Sequence, residues 1–252
     1  MSDQNSQRVA LVTGGAIRVG RAISLALAEA GYDLVVTYHS SVEGAADVQR
    51  LVADLGRACV LVQADLTDAR APESVAETAN QTYGRLDLLV NSAASFDARP
   101  LLEVDAEAWD AVLALNVRAP HLLVRAASDL LRASGGSVVN IVDLSAFQPW
   151  LEYPAHAVSK AALAHLTRVQ ARALAPEVRV NAIAPGAVLP PDDWSEERWT
   201  ALAEAAPLRR VGAPADVAAA VLFFAEADFV TGQILAVDGG RHMGGIGPEA
   251  SA

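Results

Sequence analysis

The chain has 252 residues, of which 52% are apolar and 19% charged, and its formal charge is −11. That composition builds a globule with a sizeable core rather than a disordered chain. The acidic balance, with no basic run longer than two residues, argues against a nucleic-acid partner. Cys59 lies in the apolar run ACVLV and is the single cysteine, so it forms no internal disulfide and reads as inert core. The opening MSDQNSQ lacks the form of a signal peptide. The longest apolar run, VAAAVLFFA at 217–225, is too short to span a bilayer. A cytoplasmic location without a membrane partner is the expectation.

A short β run at 9–12 opens the chain, and a stretch of helical composition at 21–30 stops at Gly31. Residues 34–38 read as a buried strand, β-branched and aromatic. Ser40-Ser41-Val42-Glu43 has the spacing of a capping box and opens a helix that ends at Gly56. Further strands are expected at 58–63, 86–90, 137–142, 179–183 and 233–237, with helices at about 72–83, 105–132, 153–174 and 214–225. Strands separated by helical stretches imply βαβ crossovers. The expected fold is α/β: a single Rossmann-type domain over 1–252, with a doubly wound parallel sheet of about seven strands and helices on both faces. Residues 187–212, AVLPPDDWSEERWTALAEAAPLRRVG, break the rhythm after a strand and read as a substrate lid. Residues 1–7 and 244–252 read as flexible tails.

Thr13-Gly14-Gly15 ends the first strand and Gly20 lies inside the next helix. A glycine-rich turn in that position brings backbone N–H groups and a helix N-terminus to a pyrophosphate. A carboxylate at the end of the second strand would bond a ribose 2′-hydroxyl and repel a 2′-phosphate. This chain instead has Thr37-Tyr38-His39-Ser40-Ser41 there, and Arg18 adds a positive charge in the loop. That set suits NADPH rather than NADH.

These residues carry a resemblance over nearly the whole chain. The Thr-Gly loop, Asp65 in QADLTD, Asn91 in LLVNSAA, Asn116 in LALNV, Lys160, NAIAPG at 181–186 and VTGQILAVDGG at 230–240 resemble the short-chain dehydrogenase/reductase family. The resemblance implies that Thr13, Gly14, Arg18, Val19 and Gly20 hold cofactor phosphates. Asp65 and Leu66 would meet the adenine, and Asn91, Ser92 and Ala93 would follow the cofactor. Pro185 and Gly186 would flank the nicotinamide, and Asn116 would anchor a water leading from Lys160. A narrower likeness is to pteridine reductases and their dihydromonapterin and dihydrofolate reductase relatives. It rests on Arg18 in place of a family glycine, Asp143 in NIVDLSAFQP in place of a catalytic Ser, Phe96 after Asn91, and VDGGRHM. Phe96 would stack the substrate, and Tyr153 would stand on the pocket wall.

Three positions depart from the pattern: Ser92 stands where the family has Asn, Ala94 where this branch has Ser, and His156 in YPAHAVSK where the family has its proton-donating Tyr. On a helix His156 and Lys160 are i and i+4 and share a face. A lysine ammonium disfavours an imidazolium, whereas Asp143 favours it. Three readings are open: an Asp143–His156 acid pair, Asp143 acting with a basic substrate nitrogen while His156 shapes the pocket, and a cofactor-binding protein with a disabled site. Asp143, His156, Lys160 and Asn116 are the candidate catalytic residues, and Arg18, Phe96, Asp143 and Tyr153 the candidate substrate residues. Tyr38, His39, Ser40, Ser41 and Lys160 complete the cofactor set. His39, His121, His165 and His242 lack metal-ligand spacing, so no metal is implied. The expectation is an NADPH-dependent reductase of a small pterin-like or dihydrofolate-like substrate. A ketone or 3-oxoacyl reductase is the alternative enzyme, and the likeness implies a homotetramer with the helices at 105–132 and 153–174 as its interface.

Overall fold

The computed structural model describes residues 7–190 and 194–243. The expected tails, apart from Gln7, lie outside the described residues, as do three residues of the expected lid. Seven parallel strands form one sheet: β1 (Arg8–Thr13), β2 (Tyr32–Tyr38), β3 (Cys59–Gln63), β4 (Leu88–Asn91), β5 (Ser137–Ile141), β6 (Arg179–Pro185) and β7 (Ile234–Val237). Their order is β3-β2-β1-β4-β5-β6-β7. The winding reverses between β1 and β4, and a doubly wound sheet places its ligand crevice at the strand ends beside such a reversal.

The alternation of side chains along β1 shows how the layers form. Ala10 and Val12 join one buried cluster and Val9 and Leu11 join another, as the two-residue period of a strand requires. On the first face pack α1 (Arg18–Glu29), α2 (Val42–Asp54) and α8 (Pro214–Glu226), through Ile23, Leu27, Val48, Val221 and Phe224. On the second face lie α3 (Ala71–Tyr83), α5 (Ala119–Ser134) and α6 (Pro154–Leu174), through Val75, Leu123, Leu131 and Ala171. Both faces are covered, so the strands read as continuous apolar runs.

Two sequence expectations require correction. The capping box at Ser40–Glu43 does not form: Ser41 is the N-cap of α2 and makes no side-chain cap bond. The Ser40 carbonyl is drawn into a tight turn by Val42 N at 3.0 Å, which moves the helix start one residue on. The helix expected at 105–132 is divided into α4 (Ala106–Leu113), capped by Asp105, then a π-helical turn over Ala114–Arg118, then α5. The wider turn carries the side chain of Asn116, which is fully buried, into the interior. The expected lid region contains a helix, α7 (Glu196–Ala205), with Ser195 as its N-cap. Cys59 packs half-buried against the first face, and burial pushes its thiol up to about 12. Among the described residues no helix is long and apolar enough to cross a membrane.

Candidate active site

A cavity of about 1130 Å³ follows the carboxyl ends of the strands. It exceeds the roughly 300–1,000 Å³ of a typical single-ligand pocket and has room for a dinucleotide beside a substrate. One end is lined by Tyr38, His39, Ser40 and Ser41 with Asp65 and Leu66. Gly14, Arg18, Val19, Gly20, Ser92 and Ala93 form the middle. The cradle fits the pyrophosphate of a nicotinamide dinucleotide on steric grounds. A Cβ on Gly20 would lie 2.1 Å from the Gly14 carbonyl oxygen, and one on Gly14, at φ +61°, would lie 3.0 Å from Ala93 Cα. Only bare backbone lets the loop close onto the helix start.

Arg18 adopts φ 52°, a conformation that L side chains rarely take. Its guanidinium donates to the Pro190 carbonyl at 2.9 Å and the Leu189 carbonyl at 3.5 Å. It therefore joins the glycine-rich turn to the start of the stretch after β6, a link the sequence did not announce. Thr13 and Asn91 stand behind the cavity wall rather than on it. Thr13 is buried, and its Oγ1 accepts from Ser92 N at 3.0 Å and Ala93 N at 3.1 Å. Asn91 donates to Asn140 Oδ1 at 2.8 Å across β4 and β5. Both shape the cradle without touching its contents.

At the far end the segment just after β5 delivers Asp143, the N-cap of α6 is Tyr153, and the first turns of α6 deliver His156 and Lys160. His156 Nε2 lies 2.6 Å from Asp143 Oδ2, and Nδ1 lies 2.8 Å from the Ser95 carbonyl oxygen. A carbonyl only accepts, so Nδ1 carries a proton. The other carboxylate oxygen of Asp143 accepts from Ser145 N at 2.8 Å and from the Ser145 hydroxyl. Burial pushes the Asp143 carboxyl up, but the His156 hydrogen bond and the nearby charge of Lys160 outweigh it and hold the group below the usual carboxylate range. The charged form of Asp143 is thereby favoured, with Oδ2 facing His156 Nε2.

Neither ring nitrogen of His156 is left for a substrate. The ring is 1% exposed, and Phe96 covers it with ring centroids 4.2 Å apart. Both members of the pair line the cavity, and Asp143, 15% exposed at its side chain, is the more open of the two. Lys160 donates to the Ile141 carbonyl at 2.8 Å, and burial lowers its ammonium against the opposing charge of Asp143. Asn116 lies behind the wall. Its amide donates to Ser159 Oγ at 2.9 Å, and its oxygen accepts from Ser95 N at 2.9 Å. Asn116 thus fixes the Ser95 segment, whose carbonyl in turn fixes the imidazole.

The substrate end is aromatic. Phe96 and Tyr153 meet with ring centroids 4.4 Å apart, and Trp150 stands 6.3 Å from Phe96. From the opposite side the lid contributes Trp194, Arg198, Trp199 and Leu202. Arg198 stacks on Trp194 at 3.7 Å and bonds Glu152 at 2.5 Å, which ties the lid helix to the loop before α6.

A family model described as enoyl-(acyl carrier protein) reductase matches residues 15–242. The chain belongs to the short-chain dehydrogenase/reductase family. It is 38% identical over 250 residues to a Streptomyces violaceoruber protein described as ketoacyl reductase 2 of the granaticin polyketide synthase, which covers 96% of this chain and 99% of that one. It is 34% identical to the hydroxynaphthalene reductase arp2 of Aspergillus fumigatus, with 90% of each chain covered. A crystal structure described as a short-chain alcohol dehydrogenase from Sinorhizobium meliloti superposes with a TM-score of 0.89 at 33% identity, covering 94% of this chain and 97% of that one. This short-chain dehydrogenase/reductase accordingly carries a nicotinamide-cofactor fold with an oxidoreductase site.

Proposed function

We propose that this short-chain dehydrogenase/reductase is an NADPH-dependent reductase of carbonyl compounds, with Asp143 as the group that hands over the proton. The 2.6 Å contact between Asp143 and the buried imidazole of His156, at the aromatic end of the cavity, carries the reading. When bound, NADPH supplies the hydride. Asp143 holds a proton shared with His156 and presents it to the substrate oxygen as charge develops there. His156 restores that proton from behind, and Lys160 keeps a positive charge beside the carboxylate. Phe96, Trp150 and Tyr153 exclude water on one side, and the lid tryptophans do so on the other.

Two relatives are described as a ketoacyl reductase and a hydroxynaphthalene reductase, and they favour a ketone or 3-oxoacyl substrate over the pterin expected from the sequence. A second reading, reduction of a pterin-like C=N, rests on one observation. Asp143 presents a carboxylate beside the exposed face of Phe96, a pairing suited to a flat ring that bears N–H donors. NADPH oxidation with acetoacetyl thioester, a fused-ring ketone and dihydrobiopterin separates the two. Ketone turnover without pterin turnover supports the main reading, and the reverse pattern replaces it.

The preference for NADPH rests on His39, Ser40 and Ser41 lining the cavity at the end of β2, where no carboxylate stands. Ser40→Asp is expected to weaken NADPH binding by about tenfold or more, because a carboxylate there repels a 2′-phosphate. NADH binding should be held or improved, and calorimetric titration of both cofactors checks this. We also infer a homotetramer closed through the stretch 105–132 and α6, and on α6 Val158 and Val169 are about half exposed. Light scattering should give four times the 26.3 kDa chain mass, and a monomer would overturn the inference.

A further inference from the structure

The cations along the cavity are largely engaged. Lys160 bonds the Ile141 carbonyl, Arg198 is paired with Glu152, and Arg18 holds the lid carbonyls. Arg241 differs from them. It lines the same cavity and is half-buried, yet its guanidinium makes no hydrogen bond or ion pair among the described residues. The carboxylate nearest in sequence, Asp238, is already taken up. It is buried and accepts from Gly240 N at 3.0 Å, from His242 N and from His242 Nδ1. A guanidinium always keeps its charge and presents a planar fork of donors that matches a carboxylate. The charge of Asp238 offsets part of the burial of Arg241, but guanidinium donors left unbonded are costly to bury unless a ligand completes them.

The topology limits what that ligand is. The turn that holds Arg241 follows β7 and is tied to the end of the lid, with Leu208 N donating to the Gly239 carbonyl at 3.1 Å. β7 is five strand steps from β2, about 24 Å at ~4.8 Å per step, so Arg241 is remote from the 2′-phosphate end at Ser40 and Ser41. It is two steps from β5, which leads into Asp143, or about 10 Å. A compact molecule can place its reacting group at Asp143 and an anionic group at Arg241. Gly186, at the end of β6 between them, packs so closely on Asp238 that a Cβ there would lie 2.7 Å from Asp238 Cβ, which holds this turn against the cavity floor.

We propose that Arg241 recognises a carboxylate on the substrate, remote from the group that is reduced. The proposal rests on the reductase reading and adds the substrate class: a flat keto acid or, on the second reading, a pterin with an acidic tail. The test is calorimetric titration of the NADP⁺-saturated enzyme, where no turnover occurs, with 4-acetylbenzoate and its methyl ester, and with dihydrofolate and dihydrobiopterin. The native chain should bind the acid more tightly than the ester. Arg241→Met should weaken acid binding about 10- to 100-fold, the range of a lost charged hydrogen bond, and leave ester and NADP⁺ binding unchanged. Arg241→Lys should recover part of the loss. Dependence on Arg241 for dihydrofolate alone would assign the carboxylate to a pterin tail. Equal binding of acid and ester by the native chain, or equal loss of both in Arg241→Met, overturns the proposal. Acid binding that depends on Arg241 in an enzyme that turns over no carbonyl or pterin would sink the reductase reading and leave the anion site standing.

Discussion

Asp143→Asn is expected to lower kcat by about 10²- to 10⁴-fold, the usual contribution of a positioned acid, with NADPH affinity unchanged. The substitution keeps the shape of the side chain and the acceptor that faces Ser145 N, so the loop after β5 keeps its anchor. What changes is the proton. An asparagine amide donates to Nε2, which then only accepts, while Nδ1 still donates to the Ser95 carbonyl. The variant therefore retains a hydrogen-bonded pair with nothing to transfer. Steady-state NADPH oxidation on the preferred ketone, with calorimetric cofactor titration alongside, measures both quantities. Undiminished turnover would remove Asp143 from the chemistry.

His156→Phe should have its largest effect on stability. It leaves Asp143 without its hydrogen-bonded ring partner and the Ser95 carbonyl without a donor, both under the aromatic roof. Breaking a buried pair by removing one partner costs about 3–5 kcal/mol. For a domain of this size that lowers Tm by about 6–20 °C, which differential scanning calorimetry reads directly. The sign of the acid dependence follows from Asp143. Its folded carboxyl titrates below the unfolded one, so its contribution is complete above about pH 4 and is lost as pH falls through the lower folded value. His156→Phe should accordingly differ most from the native chain above pH 4, and the gap should narrow in stronger acid. A Tm within 2 °C of the native value at neutral pH would contradict the buried pair.

The sheet was legible because both of its faces are buried. Continuous apolar strands such as 9–12 and 34–38, set between helical stretches, leave few alternatives to a doubly wound fold. Asp143 was legible for the opposite reason: a carboxylate closing the apolar run GGSVVNIV demands a partner. The i, i+4 relation of His156 and Lys160 also held, since both lie on α6 and both line the cavity. What the sequence concealed was mostly backbone. The second partner of His156 is the Ser95 carbonyl, an atom every residue has, and it takes up the ring nitrogen that Asp143 leaves. Thr13 and Asn91 sat in motifs that touch a cofactor, yet their polar atoms are spent inside the protein. The π-helical turn at Ala114–Arg118 has no hydrophobic period of its own, and the start of α2 moved by one residue through a turn at Ser40. Arg241 follows two glycines in a stretch without periodicity, and only the folded chain places it in the cavity.

The most direct test of the account is NADPH oxidation by the native chain and by His156→Tyr with acetoacetyl thioester, a fused-ring ketone and dihydrobiopterin across pH 5 to 8, with NADPH binding measured in both. The account predicts turnover by the native chain that declines as pH rises and the Asp143–His156 pair gives up its shared proton. NADPH binding without turnover in the native chain, with activity appearing only in His156→Tyr, would contradict it.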